Sequence, residues 1–167
     1  MRTLRPYRDG DFTNLVEIIN AAAEAYRGVI PADRWHEPYM PAGELAGQID
    51  AGVEFWCCEE DGALLGVMGI QNVRDVDLIR HAYVRPGLQR GGVGRQLIQQ
   101  FCARGSRPLL VGTWAAAQWA VDFYRRNGFV LVEPAIARRL LLAYWSIPER
   151  QIETSVVLEY PPRASPA

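Results

Sequence analysis

The sequence nowhere strings together the 18 or so apolar residues that a membrane-spanning helix needs, and membrane insertion is not expected. Histidine and cysteine are scarce. The two histidines, His36 and His81, lie far apart and no Cys-x-x-Cys occurs, so a zinc site is not expected and no metal is assigned. The three cysteines are the adjacent Cys57 and Cys58 and the isolated Cys102; an odd count without framework spacing reads as reduced, structural thiols. The N-terminus, Met1-Arg2-Thr3-Leu4-Arg5-Pro6, lacks a signal peptide's apolar centre, and with the cysteine pattern it points to the cytoplasm. Excess charge of either sign is missing: 18 basic against 19 acidic residues leave no global field for nucleic acid or an anionic membrane. A local basic patch remains around Arg85, Arg90 and Arg95. What is present is the composition of a folded domain, 49% hydrophobic with five Trp and seven Tyr, on a chain long enough for one core without staples.

Apolar periodicity divides the chain. A short first strand around Leu4 precedes a helix from Phe12, whose Leu15, Val16, Ile19, Ala22, Ala23 and Tyr26 share a face, with Asp9 or Asp11 as its cap. Gly28 and Pro31 end that helix, and the aromatic, proline-rich stretch to Pro41 shows no period. A second helix is expected from Ala42 to Ala51. Strands over Val53–Glu59 and Ala63–Val73 flank the turn signal Glu60-Asp61-Gly62, and Asp77–Val84 extends the meander. Helices over Val93–Phe101 and Ala116–Arg126 then alternate with strands over Leu109–Trp114 and Phe129–Val132, which implies a parallel crossover and a mixed sheet. A helix over Ala135–Tyr144 and a final strand over Thr154–Tyr160 complete an α+β pattern of six or seven strands.

The costliest feature is Gln89-Arg90-Gly91-Gly92-Val93-Gly94, three glycines at the opening of a helix, roughly 1 kcal/mol each relative to Ala in a helix interior. A tight strand-to-helix turn would account for glycines here. So would a phosphate approaching the unpaired N–H groups and positive dipole end of the helix, with Arg90 and Arg95 adding charge. A P-loop is excluded because Gly-Lys-Ser/Thr is absent. A dinucleotide loop is excluded because Leu97 stands where a third glycine belongs and no acid lies near Trp114.

The remaining pattern, Val84-x-Pro86-x-x-Gln89-Arg90-x-Gly92-x-Gly94, resembles the main cofactor motif of the GNAT superfamily of acetyl-CoA-dependent N-acetyltransferases. Downstream, Ala120-Val121-Asp122-Phe123-Tyr124-Arg125-Arg126-Asn127-Gly128-Phe129 is similar to that family's Ala-x-x-Phe-Tyr-x-x-x-Gly-Phe. The likeness is specific over residues 77–129 and only topological elsewhere. One departure is Ala117, where the family often has Asn.

The resemblance implies a single GNAT-like α+β domain over residues 1–160, with 161–167 a flexible tail. Its sheet would be mixed, of six to seven strands flanked by helices, and its fourth and fifth strands, Asp77–Val84 and Leu109–Trp114, would splay apart. Acetyl-CoA is the implied co-substrate. Gln89, Arg90, Gly91, Gly92, Val93, Gly94 and Arg95 would hold its pyrophosphate, and backbone groups of Tyr83 and Val84 its pantetheine arm. Tyr124 would touch the cofactor and act as general acid toward the leaving thiolate. The family's usual strand Glu is absent; Asp75, Asp77 and His81 stand nearby, and His81 is the candidate base. Strict alternation would put Asp77, Ile79, His81 and Tyr83 on one face, unless a bulge intervenes. Tyr26, Trp35, Trp114 and Trp145 are candidate substrate contacts, though each alone also reads as packing. The implied activity is acetyl transfer to a primary amine of a small molecule by direct attack on the thioester. A non-catalytic acyl-CoA sensor and a protein or peptide N-acetyltransferase are the alternatives. A homodimer through the final strand or Leu140-Leu141-Leu142 is a further expectation.

Overall fold

A computed structural model describes residues 1–161; the expected tail therefore lies, from residue 162 on, outside the described residues. The elements run β1 (Thr3–Pro6), α1 (Phe12–Ala23), α2 (Ala42–Asp50), β2 (Val53–Glu60), β3 (Ala63–Val73), β4 (Val76–Val84), α3 (Val93–Cys102), β5 (Leu109–Trp114), α4 (Gln118–Arg126), β6 (Val130–Leu131), α5 (Pro134–Tyr144), α6 (Glu149–Glu153) and β7 (Ser155–Tyr160). The strands form one seven-stranded sheet in the order β1-β2-β3-β4-β5-β7-β6. Among the described strands only β4 and β5 pair parallel, joined by the crossover through α3. The α+β mixed sheet flanked by helices is the expected fold class.

Local chemistry sets these elements. Asp61 and Gly62 both take positive φ (52° and 80°), the turn geometry that matches strand twist between β2 and β3. Leu15, Ile18, Ile19 and Ala23 give α1 a single buried stripe. Glu133 caps α5, accepting the N–H groups of Ala135 and Ile136 at 3.2 Å each, with Pro134 behind it.

Both sheet faces are covered, so neighbouring strand residues are buried on opposite sides. Cys58, Met68, Ile79 and Val111 pack under α3 and α4 against Val93, Leu97, Ile98, Phe101, Val121 and Tyr124. Cys57, Phe55 and Val67 pack on the other face against Leu15, Ile18, Ile19 and Leu45. Leu78, Leu110 and Val157 meet Leu140, Leu141 and Ile152 of α5 and α6. The three cysteines are unpaired, and burial pushes the Cys57 thiol up to about 11. No helix among the described residues is long and apolar enough to cross a membrane.

Several expectations are corrected. Asp11 does hold the N-cap position of α1, but its side chain bonds no helix N–H; it instead accepts the Arg8 N–H at 2.8 Å and pairs with Arg5 at 2.7 Å, tying β1 to the turn before α1. α4 begins at Gln118, two residues late, because Ala117 takes a non-helical ψ of 67°. The short α6 was not anticipated. β7 is no exposed edge: it lies between β5 and β6, and Leu140 and Leu141 are core, so the surfaces expected for a dimer are largely inside the fold.

Candidate active site

β4 and β5 share three residue pairs, Asp77 with Leu109, Leu78 with Leu110 and Ile79 with Val111, and then part. Two neighbours pull them apart. β5 stays fully paired to β7 along its length. On the other side, β4 carries a bulge: its register with β3 skips from Arg80 opposite Gly69 to Tyr83 opposite Val67, and His81 takes φ 52°. From Arg80 to Val84 the edge of β4 that faces β5 therefore has no strand partner, leaving peptide groups that require one. The expected splay is present.

The bulge also corrects the alternation along β4. Ile79 packs on the α3 side, whereas His81 stacks on Phe55 (6.0 Å) and Tyr83 (6.5 Å) toward α1 and α2. Asp77, Ile79, His81 and Tyr83 thus do not share a face.

At one mouth of the split lies the glycine loop. Gly92 stands at φ 84° as the residue before α3, a conformation that disfavours any side chain, and no side chain caps the helix. The first helical bond there is Gln96 N–H to Gly92 O at 3.0 Å, so the N–H groups of Val93, Gly94 and Arg95 lack helical partners. Gly94 is small for a different reason: a Cβ there would lie 3.2 Å from the Phe123 ring. Gln89 is exposed and bonds within the loop, its Oε1 accepting the Gly87 N–H at 2.8 Å, and Arg2 donates to Gly91 O. Arg90, Arg95 and Arg126 line this end.

The split opens into a cavity of about 1200 Å³. Tyr26, Tyr39, Tyr83, Trp114 and Tyr124 form its middle, with ring centroids of Tyr26 5.7 Å from Tyr39 and 6.4 Å from Tyr83. Trp114 Nε1 donates to Tyr39 Oη at 3.4 Å. Burial raises every one of these phenols: Tyr26 to about 12, Tyr39 upward, Tyr83 well above its ordinary value, and Tyr124 above it too with Tyr26 contributing. All are hydroxyl donors at neutral pH.

At the far end His81 Nε2 bonds Gln48 Oε1, and Gln48 Nε2 donates to Glu44 Oε1 at 3.4 Å. Since a carboxamide oxygen only accepts, this bond assigns the proton to Nε2 and leaves the Nδ1 lone pair available. Burial first, then neighbouring Arg80, push the imidazole down to about 3, so it is neutral at physiological pH. The charged side chains on the cavity wall are Arg80, Arg90, Arg95 and Arg126; none of the described lining residues is Asp or Glu.

Of the residues expected at a site, the cavity brings together His81, Tyr83, Val84, Gln89, Arg90, Gly92, Gly94, Arg95, Tyr124, Tyr26, Trp114 and Trp145. Gly112 makes room for Trp145, since a Cβ there would meet its ring at 3.3 Å. Trp35 is not on the wall; it stands behind Tyr39 (5.5 Å, stacked) under the Arg27 guanidinium. Ala117 is fully buried beside Ile30 and Trp114, filling with a methyl the place where the family often has Asn. Arg80, Thr113, Trp119 and Arg126 were not anticipated. Arg80 had a signal, a charge inside the apolar run Leu78-Ile79-Arg80, but the sequence does not mark where the sheet divides. Among the described residues there is no group of three His, Cys, Asp or Glu placed to hold a metal ion.

A sheet split beside an uncapped helix N-terminus, with buried hydroxyls deep in the gap, is a site whose shape and charge suit a long ligand with an anionic end. A family model described as Acetyltransferase (GNAT) domain matches residues 51–131, the segment that holds the split, the loop and Tyr124. The chain belongs to the GNAT superfamily, whose acetyltransferases use acetyl-CoA. It is 28% identical over 137 residues to the peptidyl-lysine N-acetyltransferase YiaC of Escherichia coli, covering 73% of this chain and 91% of that protein. The fold is similar to that of the PaiA N-acetyltransferase of Thermoplasma acidophilum in complex with coenzyme A, with TM-score 0.71, 15% identity and coverage of 95% and 98% of the two chains. It is also similar to that of the ribosomal-protein-S18-alanine N-acetyltransferase of Escherichia coli, with TM-score 0.66, 16% identity and coverage of 95% and 92%.

Proposed function

We propose that this chain transfers the acetyl group of acetyl-CoA to a primary amine of a small molecule, by direct attack in the β4–β5 split. The observation that carries the reading is the continuity of one cavity from the loop of Gly92 past the free edge of β4 to Tyr124 and His81. Residues present fit the co-substrate. The N–H groups of Val93, Gly94 and Arg95, with the arginines at that mouth, suit a pyrophosphate. The unpaired β4 edge at Tyr83 and Val84 suits an amide-bearing arm. When bound, acetyl-CoA supplies a thioester carbonyl as the electrophile.

In this proposal a β4 backbone N–H receives the negative charge that develops on the carbonyl oxygen. Tyr124, held protonated by burial, gives its phenolic proton to the departing sulfur and regains one, through solvent, from the nitrogen that has attacked. His81 accepts a hydrogen bond from the amine at Nδ1 while Gln48 holds the ring at Nε2. With its pKa at about 3 it orients the amine better than it carries a full proton away near neutral pH. An amine of pKa about 10.4 must therefore arrive neutral or lose its proton to solvent.

Aromatic, acid-free walls favour a small acceptor over a basic peptide. A protein acceptor is the second reading, favoured by the likeness to a peptidyl-lysine N-acetyltransferase. Free thiol measured with acetyl-CoA across matched small amines and lysine- or alanine-ended peptides separates the two. Turnover confined to peptides would replace the first reading with the second.

A further inference from the structure

Three of the four cavity arginines, Arg90, Arg95 and Arg126, stand at the mouth where the proposed pyrophosphate lies. Arg80 does not. It follows Ile79, the last β4 residue paired to β5, and lies roughly 10 Å along the strand from Val84. Its guanidinium is partly buried and makes one hydrogen bond, Nη1 to the neutral Gln71 Oε1 at 2.9 Å. Gln71 is itself anchored, donating to Ala51 O at 3.3 Å. Among the described residues no carboxylate is within ion-pair reach of Arg80; Glu44 on α2 attracts it only from a distance.

A guanidinium offers five N–H donors in a planar fork. Withdrawing it from water with one neutral acceptor is unfavourable unless an anion completes it. The protein does not provide that anion, and the described cavity wall bears no Asp or Glu. The ligand remains. A bidentate carboxylate is the geometric complement of the fork.

We propose that Arg80 receives a carboxylate of the acceptor, which makes the acceptor a small amine that bears a carboxylate, such as a free amino acid. This rests on the acetyl-transfer reading of the same cavity. Arg80 adjoins His81 in sequence, so the carboxylate and the amine occupy neighbouring stations on one strand. The cation also disfavours a second positive charge nearby, which shifts the bound amine toward its neutral, nucleophilic form.

The test is binding, measured without turnover. Protein saturated with CoA is titrated calorimetrically with a set of L-amino acids and with the matching amino-acid amides, singly. At least one amino acid is expected to bind tenfold or more tightly than its amide. That preference falls to near one in Arg80→Gln and is largely kept in Arg80→Lys, which also controls for folding. The proposal is overturned if no amino acid binds better than its amide, or if the preference survives Arg80→Gln. The acetyl-transfer reading fails separately: an amino acid that binds through Arg80 but never yields thiol with acetyl-CoA sinks that reading and leaves the carboxylate site standing. Acetylation of a carboxylate-free amine, with no amino acid bound better than its amide, does the reverse.

Discussion

Tyr124 shows how burial and position make one side chain chemically useful. Its phenol is buried between α4 and the sheet, its ring edge-on to Phe123 (5.1 Å) and Phe129 (5.4 Å), so Tyr124→Phe removes a hydroxyl with little change in packing. If the hydroxyl protonates the leaving thiolate, kcat falls about 10²- to 10⁴-fold while the calorimetric Kd for acetyl-CoA holds. A comparable loss of affinity with kcat intact would assign the residue to binding alone. His81 makes a stability prediction. Its ordinary pKa of 6.5 falls to about 3 in the fold, so on unfolding between those values the chain takes up a proton. The stabilisation is therefore complete above pH 6.5 and is lost as pH falls toward 3, at up to about 1.4 kcal/mol per pH unit. His81→Gln should flatten urea-unfolding free energy against pH across that window; an unchanged slope would place the acid sensitivity elsewhere. The place of Tyr124 on the cavity wall was legible in the sequence because its neighbours Phe123, Gly128 and Phe129 mark it. The facing of His81 was not, because one bulge residue reverses the parity of a strand.

Elements hold the site through close approach as much as through side chains. A methyl on Gly66 of β3 would lie 2.7 Å from Val93 Cγ1 and 3.1 Å from Tyr83 O, between the start of α3 and the strand beneath it. Gly66→Ala should cost about 1–3 kcal/mol, read from the urea midpoint, and raise the Kd for CoA because the helix N-terminus is displaced. Gly47, in the interior of α2 with nothing within 4 Å of its added Cβ, is the contrast: Ala there should stabilise by about 0.5–1 kcal/mol and leave CoA binding unchanged. Losses of equal size at both sites would mean that space at Gly66 is irrelevant. Periodicity made α3 and the β2–β3 hairpin readable within a residue or two, whereas the first helix, expected to carry Tyr26, ends as α1 at Ala23 and tightens to a 3-10 turn over Glu24–Tyr26. Periodicity missed α6, whose five residues are too short to show a period, and it misplaced the start of α4, where Ala116 and Ala117 suit a helix but the chain turns.

At the scale of the molecule, charge is balanced overall but not in space. The formal net charge is −1, yet the cavity wall carries arginine and no described acid, a field suited to an anionic donor at one end and an anionic acceptor at the other. The sequence could reveal the loop and the meander that supports it, both local in chain. It could not reveal that β7 would settle between β5 and β6 and, by holding β5, open the gap from β4, because that is a long-range pairing. The chain contains no lysine, all 18 of its basic side chains being arginine, so self-acetylation at lysine cannot contribute background. A decisive measurement is then simple: free thiol and the mass of the acceptor, followed together as acetyl-CoA is incubated with the protein and single amines or amino acids. Thiol release that requires an acceptor, matches acetylated product one for one and collapses in Tyr124→Phe is the result predicted. Tight CoA binding with no acceptor-dependent thiol from any amine, amino acid or peptide would contradict it.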